Sequence, residues 1–157
     1  MKAMHWIGLA LCALLLAGCA TGAARRVSEP AARIQQLTVG ADGNWSAQVR
    51  IENFSSIPMR FDALDLALSI GNHAAGTLTA QPAVSIGPES ADVVTVALTP
   101  QAAAKIAVAD ALAGGRSVDY TLKGTLDATP EEGKRRSFKF ERTSALSPAP
   151  GLPGVLR

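Results

Sequence analysis

Apolar and polar residues alternate with a period of two along most of this chain, and this alternation restricts the fold more than any other feature. In the stretch 45–53, WSAQVRIEN, every second residue from Trp45 to Ile51 is apolar. The stretches 118–127, VDYTLKGTLD, and 136–142, RSFKFER, repeat the pattern. Such alternation predicts β-strands with one buried and one solvated face, which is typical of antiparallel sheets.

The leucine-rich stretch 59–71, MRFDALDLALSIG, alternates with a slip in phase, because the leucines from Leu64 onward occupy the phase opposite to the preceding apolar residues. A strand that changes its inward face in this way contains a bulge or a bend. A helix is the alternative for so leucine-rich a run. Asp62 and Asp65 fall on opposite faces of a regular strand, so we interpret them as bend residues rather than as an acid–base pair.

One segment departs from the alternation and predicts a helix. The stretch 99–115, TPQAAAKIAVADALAGG, offers Thr99 as an N-cap, Pro100 in the first turn and a glycine pair as the stop. The alanines between them favour a helix. A narrow apolar stripe, suited to docking on a sheet edge, would consist of Ile106, Ala109 and Leu112.

Further strands are predicted at 33–39, 74–80, 83–86 and 91–98. Proline and glycine in the stretch DATPEEGK predict a hairpin between the last two long strands, and the charges at its tip would keep the sheet edge soluble. The predicted fold is therefore all-β: an antiparallel β-sandwich of about seven strands, with one short helix before the last two.

The N-terminus has the pattern of a secretory signal. Lys2 precedes an apolar run of roughly ten residues, whereas a transmembrane helix needs about twenty. Residues 16–19, LAGC, resemble the bacterial lipobox. This resemblance implies a lipoprotein signal peptide at 1–18, cleavage before Cys19 and acylation of Cys19 by chains such as palmitate. The alternative is an ordinary signal peptide that is cleaved after Ala20 or Ala24.

Acylation of Cys19 would anchor the chain, because two or three acyl chains hold stably in a bilayer where a single chain does not. Ala20 stands where an aspartate retains many Gram-negative lipoproteins in the inner membrane, so we expect the outer membrane, facing the periplasm. Cleavage removes Lys2 and Cys12, which lowers the formal charge from +2 to +1 and leaves a single cysteine. We therefore expect no disulfide and no nucleic-acid partner.

Composition divides the remaining chain into three parts. Residues 19–32 are small, charged or proline without a period, which predicts a lipidated flexible tether. Residues 144–157, SALSPAPGLPGVLR, repeat proline and glycine, which predicts a tail that is disordered or extended on the surface. The domain itself is expected at 33–143, a length that suits one domain.

Short motifs follow the first long strand in a fixed order. Asn53 ends that strand, the pair Ile57-Pro58 begins the next, Gly76 follows, and a later strand reads YTLKGTL. Over about residues 33–141, this order resembles the late embryogenesis abundant type 2 domain, also called the water stress and hypersensitive response (WHy) domain.

In that family the turn reads Asn-Pro-Asn, a glycine closes the following hairpin, and the later strand reads Tyr-x-Leu-x-Gly-x-Leu. Phe54 and Ser55 replace the last two turn residues in this chain, so the signature is only partly kept. The resemblance implies a sandwich of the immunoglobulin or fibronectin-III type, in agreement with the alternation. It also implies a role in tolerance of dehydration or other stress, and no catalytic centre.

Side chains that could carry chemistry are few. His73, in the turn-like GNHAAG, is the only histidine that remains after signal cleavage, so we expect neither a metal site nor a serine hydrolase. Trp45 falls on the inward phase and is expected to pack in the core. The sequence therefore predicts no enzyme activity and no cofactor.

The loop after the first long strand is the candidate binding site. Asn53, Phe54, Ile57 and Pro58 lie where loops cluster at one end of a sandwich, and an exposed Phe54 would contact a partner there. A Phe54 folded back over the core is the alternative.

The expected function is that of a non-enzymatic, lipid-anchored envelope protein that protects or binds other molecules under water or desiccation stress. One alternative is a lipid-binding or lipid-carrying module with an apolar groove between its sheets. Another is a structural accessory of an envelope complex. The expected partners are the membrane, through acyl chains on Cys19, and other envelope proteins or lipid.

Overall fold

The computed structural model describes residues 25–157, which form nine strands and one helix. The strands are β1 (Ala31–Val39), β2 (Trp45–Asn53), β3 (Met59–Ile70), β4 (His73–Ala80), β5 (Val84–Ile86), β6 (Ser90–Leu98), β7 (Val118–Pro130), β8 (Arg136–Leu146) and β9 (Val155–Leu156). The helix α1 spans Ala102–Gly114. The predicted signal peptide, Cys19 and the first part of the predicted tether lie outside the described residues.

The strands form two antiparallel sheets. One has four strands in the order β6-β2-β1-β9, and the other has the order β4-β3-β7-β8, with β5 paired to the start of β3. Helix α1 connects β6 of the first sheet to β7 of the second. The predicted fold class, an all-β sandwich with one short helix, is confirmed, but nine strands form where about seven were expected, and three follow the helix where two were expected.

Alternation along β2 determines which side chains enter the core. Trp45, Ala47, Val49 and Ile51 are all at most 2% exposed, while the residues between them reach the surface in part. Side chains of both sheets join them in one buried cluster. The prediction that Trp45 packs in the core is confirmed.

A hydrogen bond between the sheets also crosses this core. The backbone N–H of Ile34 on β1 donates to the hydroxyl of Tyr120 on β7, at 3.1 Å. Tyr120 is 2% exposed, so its hydroxyl has a partner despite its burial.

The phase slip in β3 is a β-bulge. Phe61 pairs with Ala128 and Ala63 pairs with Asp127, so Asp62 is the extra residue. Its carboxylate accepts a hydrogen bond of 2.6 Å from the Thr129 hydroxyl. The strand and its bulge are therefore confirmed, and the helical alternative for this stretch is wrong.

Helix α1 forms where the sequence predicts it, but its first turn and its buried face differ from the prediction. Gln101 is the N-cap, and the Thr99 hydroxyl instead donates to the Asn44 side chain at 2.9 Å. Gly115 ends the helix with a φ of 61°, as expected for a left-handed cap.

The buried face of α1 consists of Ala104, Val108 and Ala111, whereas Ile106 is 69% exposed. The predicted stripe through Ile106 is therefore wrong. The helix packs on β4, which is an edge strand as expected, and the N–H of Gln101 donates to the carbonyl of Ala75 there. Small residues face the sheet because they allow close approach of the two backbones.

Both ends of the folded region lie beyond the predicted limits of 33 and 143. At the start, β1 begins at Ala31, Ala32 is 1% exposed, and Val27 packs against the core. The tether predicted at 19–32 therefore does not extend to residue 32.

The predicted disordered tail at 144–157 is instead folded. Strand β8 continues to Leu146, and β9 pairs with β1. Ser147 and Arg157 exchange two backbone hydrogen bonds of 2.7 and 2.8 Å, which fold the segment back on itself. Its glycines make tight turns, with φ of 74° at both Gly151 and Gly154, and this allows Leu156 to reach full burial.

Gly76, matched above to a glycine that closes a hairpin, lies within β4, and the turn before it contains Gly71. Its φ is 142°, and a Cβ at this position would stand 2.8 Å from Leu98 Cδ1. This glycine therefore serves a close approach between the two sheets.

Candidate functional site

Asn53, at the end of β2, joins two loops at one end of the sandwich. It is fully buried, and its side-chain amide donates to the carbonyls of Ile57 at 3.0 Å, Ile86 at 3.1 Å and Gly87 at 2.9 Å. Its Oδ1 accepts from the N–H of Ser55 at 2.9 Å. Every polar atom of this side chain is therefore used inside the protein, and Asn53 positions the loop instead of facing a partner.

The segment at 25–30 is tied to the same loop. Hydrogen bonds join Arg26 to Ser56, from the Arg26 N–H to the Ser56 hydroxyl at 2.8 Å and from the Ser56 N–H to the Arg26 carbonyl at 3.0 Å. The N–H of Ser28 donates to the Ser55 hydroxyl at 2.9 Å. The chain therefore enters the described domain at this end, which we call the N-terminal pole and define as residues 25–30, 53–58, 87–89 and 131–132.

Phe54 is the exposed aromatic residue of the N-terminal pole. Its side chain is 48% exposed, so the alternative in which it folds back over the core is wrong. It borders a surface cleft of about 320 Å³ whose other side chains include Arg26, Arg50, Glu52 and Glu89.

Charges in this cleft are balanced. Arg50 Nε stands 3.2 Å from Glu52 Oε1, and Arg26 Nη2 stands 3.9 Å from Glu89 Oε1. Arg26 also donates to the Phe54 carbonyl at 3.3 Å. The cleft therefore presents an aromatic side chain next to paired charges of both signs, which suits contact with a polar or zwitterionic surface. Its lining residues include no nucleophile–base pair.

Ile57 and Pro58 form the other side of the loop and are half-buried. The Pro58 carbonyl accepts from the N–H of Glu131 at 3.0 Å, which brings the tip of the β7–β8 hairpin to the same pole. Arg25 forms an ion pair with Glu132 there. Of the four predicted loop residues, Phe54, Ile57 and Pro58 therefore reach the surface, and Asn53 supports them from below.

Cys19 lies outside the described residues, six positions before Arg25. The sequence reading treated residues 25–32 as tether and so missed the contribution of Arg26 and Ser28 to this pole. Val27, an apolar residue in an otherwise small and charged stretch, is the one signal that pointed to packing there.

The remaining candidates for chemistry are separate from one another. His73 is exposed at the start of β4, and Asp65 is exposed on β3, whereas Asp62 sits in the bulge beside Arg60. Residues 25–157 contain no group of three or more His, Cys, Asp or Glu side chains that could hold a metal ion. Within the same residues, no helix is long and apolar enough to cross a membrane.

Two carboxylates have a clear pKa shift, and both stand at the surface. Hydrogen bonds from the backbone and side chain of Asn44 lower the pKa of Asp42. Hydrogen bonds from Ser137 and then Arg135 lower the pKa of Asp127. Both shifts favour the charged form in a turn or hairpin, which is typical of structural carboxylates rather than general acids.

Together these features define a class: antiparallel β-sandwich domains in which one helix crosses between the sheets and the chain enters beside the β2–β3 loop. A family model described as late embryogenesis abundant protein, LEA_2, matches residues 48–143, more than half of the chain. The chain belongs to the LEA_2 family. No individual curated protein gives a significant match.

Solved structures with a similar shape share little sequence with this chain. A protein from Archaeoglobus fulgidus has 12% identity and a TM-score of 0.44, and the match covers 79% of this chain and 98% of that one. The Arabidopsis thaliana protein AT1g01470 has 11% identity and a TM-score of 0.49, with 78% and 80% covered. At these values, no property of either protein transfers to this chain.

Proposed function

We propose that this chain is a non-enzymatic envelope protein whose LEA_2 domain protects or binds other molecules at its surface under water stress. Lipid on Cys19 would hold it at the periplasmic face of the bacterial outer membrane. Membership of the LEA_2 family supports the stress role. The close packing of the interior is the observation that supports binding at the surface of the domain.

The space between the sheets is filled. Leu37, Val49 and Ile51 of one sheet and Leu66 and Leu122 of the other have no accessible surface. A water-sized void beside any of these side chains would leave it some accessible surface. Ligand contact by the described domain in this form therefore takes place outside the core, and we assign it to the cleft beside Phe54 because this exposed aromatic side chain borders it.

The position of the N-terminal pole supports the proposed anchor geometry. Arg25 lies six positions after Cys19, and a fully extended chain over that distance in sequence reaches about 20 Å. A lipid on Cys19 would therefore keep Phe54 and its neighbours close to the bilayer, while the opposite end of the sandwich would project away from it.

The non-enzymatic part of the proposal is supported by the site chemistry. His73 and the two carboxylates with lowered pKa values stand apart. The cleft beside Phe54 is lined by paired charges and by Ser90, whose hydroxyl donates to the Pro88 carbonyl, and no histidine lines it. Catalytic sites bring such groups together and shift their pKa values toward the working pH.

Survival after drying tests the stress role. A strain without the gene is complemented with the wild-type protein or with Cys19→Ser, and survival is measured after desiccation and after hyperosmotic shock. We expect wild-type protein to restore survival and Cys19→Ser to restore less of it. Equal survival with and without the gene would contradict the stress role, whereas full rescue by Cys19→Ser would contradict only the need for the anchor.

Lipid binding is the second candidate function. The cleft beside Phe54 favours binding of lipid at the surface over carriage of an acyl chain inside the domain. The filled core leaves no room for a carried acyl chain in this conformation. Mass spectrometry of purified Cys19→Ser protein distinguishes the two forms: copurified phospholipid would support a carrier that opens its sheets. A lipid-free protein that still binds phospholipid vesicles would support contact through the N-terminal pole.

A further inference from the structure

Strand β8 is a long sheet edge whose outer side is unpaired. It spans 11 residues and lies last in the order β4-β3-β7-β8. Within residues 25–157, the backbone of β8 forms no hydrogen bond outside its ladder with β7. In an antiparallel edge strand, alternate N–H and C=O groups therefore point outward and can pair with another strand.

The charge on this edge is positive and unbalanced. Arg136, Lys139 and Arg142 form no ion pair among the described residues, and the one acidic residue of the strand, Glu141, is held by Lys123 at 3.1 Å. Arg142 carries a second sign of a missing partner, because its Nε atom is buried and has no hydrogen-bond acceptor. Buried hydrogen-bond donors without an acceptor are rare in native proteins.

The cations lie on both faces of the sheet. Arg136 pairs with Ala128 and Arg142 pairs with Leu122, two buried positions, so these arginines share the inward face. Lys139 pairs with Thr125 and lies on the outward face. Acidic side chains on either face of an added strand would therefore meet a cation.

We propose that β8 binds an extended acidic segment of a partner protein, which adds a tenth strand to the domain at this edge. Outward backbone groups supply the hydrogen bonds, and the three cations select the charge of the partner. This inference depends on neither the lipid anchor nor the stress role. It would identify the type of partner if the protein serves as an accessory of a larger envelope complex.

Other occupants fit this edge less well. A second copy paired through β8 would bring one basic strand against another, and like charges opposite each other are destabilising. Residues 1–24 of this chain contain no aspartate or glutamate and so do not supply the missing charge. Charged side chains on an edge strand disfavour pairing with a neutral strand, so these cations also protect the domain against aggregation in the absence of an acidic partner.

Peptide binding to the full chain, purified in detergent, tests the proposal. The probe is a labelled 11-residue peptide, the length of β8, in which pairs of glutamates alternate with pairs of threonines, so that both faces of the added strand carry acidic side chains. One control peptide has lysine in place of glutamate, and another is the acidic peptide with alternate backbone nitrogens methylated. We expect the acidic peptide to bind and to slow hydrogen exchange within 136–146, and both controls to bind at least about ten-fold more weakly.

A matched pair of variants separates the edge from general charge. Lys139→Glu should weaken binding of the acidic peptide about five-fold, whereas Lys134→Glu, the same change in the adjacent turn, should leave it within about two-fold. Both positions are exposed, and unchanged thermal midpoints would verify that both variants fold.

Three outcomes of the peptide experiment would overturn the proposal: no binding of the acidic peptide, equal binding of the lysine peptide, or equal binding of the methylated peptide. The last would indicate a general polyanion surface without strand addition. Equal effects of the two charge reversals would also contradict a site on β8.

Discussion

Asn53 shows at the scale of one residue why a turn signature and a binding site are easily confused. Its position after β2 suggested a partner-binding loop, yet its buried amide joins the β2–β3 loop to the segment that follows β5. A sequence shows that an asparagine ends a strand, but not whether the amide turns inward. Phe54 next to it takes the exposed position because Asn53 occupies the interior one.

Replacing Asn53 should therefore destabilise the fold. Asn53→Ala leaves the carbonyls of Ile57, Ile86 and Gly87 without their donor, which we expect to cost about 2–4 kcal/mol in the free energy of unfolding. Asn53→Asp should cost at least as much, since an ionised carboxylate donates no hydrogen bond. Urea denaturation measures both, with Asn72→Ala in the exposed turn before β4 as a control; a loss below about 0.5 kcal/mol for Asn53→Ala would contradict this role.

At the scale of elements, helix α1 separates what a pattern predicts well from what it predicts poorly. Its caps and alanine content predicted a helix, and proline and glycine predicted its approximate ends. The buried face was predicted from the largest side chain, Ile106, but close packing on β4 selects the small residues Ala104 and Ala111. Only the separation of two backbones decides between these faces, and a sequence does not contain that distance.

Two substitutions by the same residue test this packing. Ala104→Gln introduces a large polar side chain into a fully buried position and should destabilise the domain by about 2–4 kcal/mol. Ile106→Gln, at a position 69% exposed, should change stability by less than about 0.5 kcal/mol. Thermal or chemical denaturation measures the stability of both variants. A larger loss of stability for Ile106→Gln than for Ala104→Gln would contradict the packing of the Ala104 face against β4.

The β7–β8 hairpin gives a prediction about pH. Hydrogen bonds from Ser137 and Arg135 lower the pKa of Asp127 in the folded protein below its ordinary value of 3.8. Its contribution to stability is therefore complete above pH 3.8 and is lost as the pH falls through the lower folded value. The thermal midpoint should consequently fall less steeply below pH 3.8 in Asp127→Asn than in wild type.

Asp119→Asn, an exposed change on the same strand, is the control for this pH experiment. Asp127→Asn should flatten the slope more than this control does, because no described residue forms an ion pair with Asp119. Identical slopes for wild type and Asp127→Asn would show that the Asp127 hydrogen bonds do not contribute to folding.

At the scale of the whole molecule, the two-sheet architecture was predictable and its boundaries were not. Alternation predicted the strands and even the bulge at Asp62, because burial of one face imposes the period directly. Composition failed at both ends. Prolines and glycines in 144–157 make the turns that carry Leu156 into the core, and a single apolar residue, Val27, holds the incoming segment.

The candidate surfaces follow from tertiary pairing and so were only partly predictable. The sequence indicated Phe54 as an exposed loop residue, but the cleft beside it also needs Arg26 from a segment that looked like a linker. The free edge of β8 depends on which strands pair with it, and alternation alone does not give strand order.

Lipid on Cys19, in our proposal, holds the LEA_2 sandwich at a bilayer. Cells expressing wild-type protein or Cys19→Ser are labelled with an alkynyl fatty acid and separated into membrane and soluble fractions. We expect the wild-type protein to carry the label and to sediment with membranes, and the serine variant to do neither. Equal labelling and equal partitioning of the two proteins would contradict it.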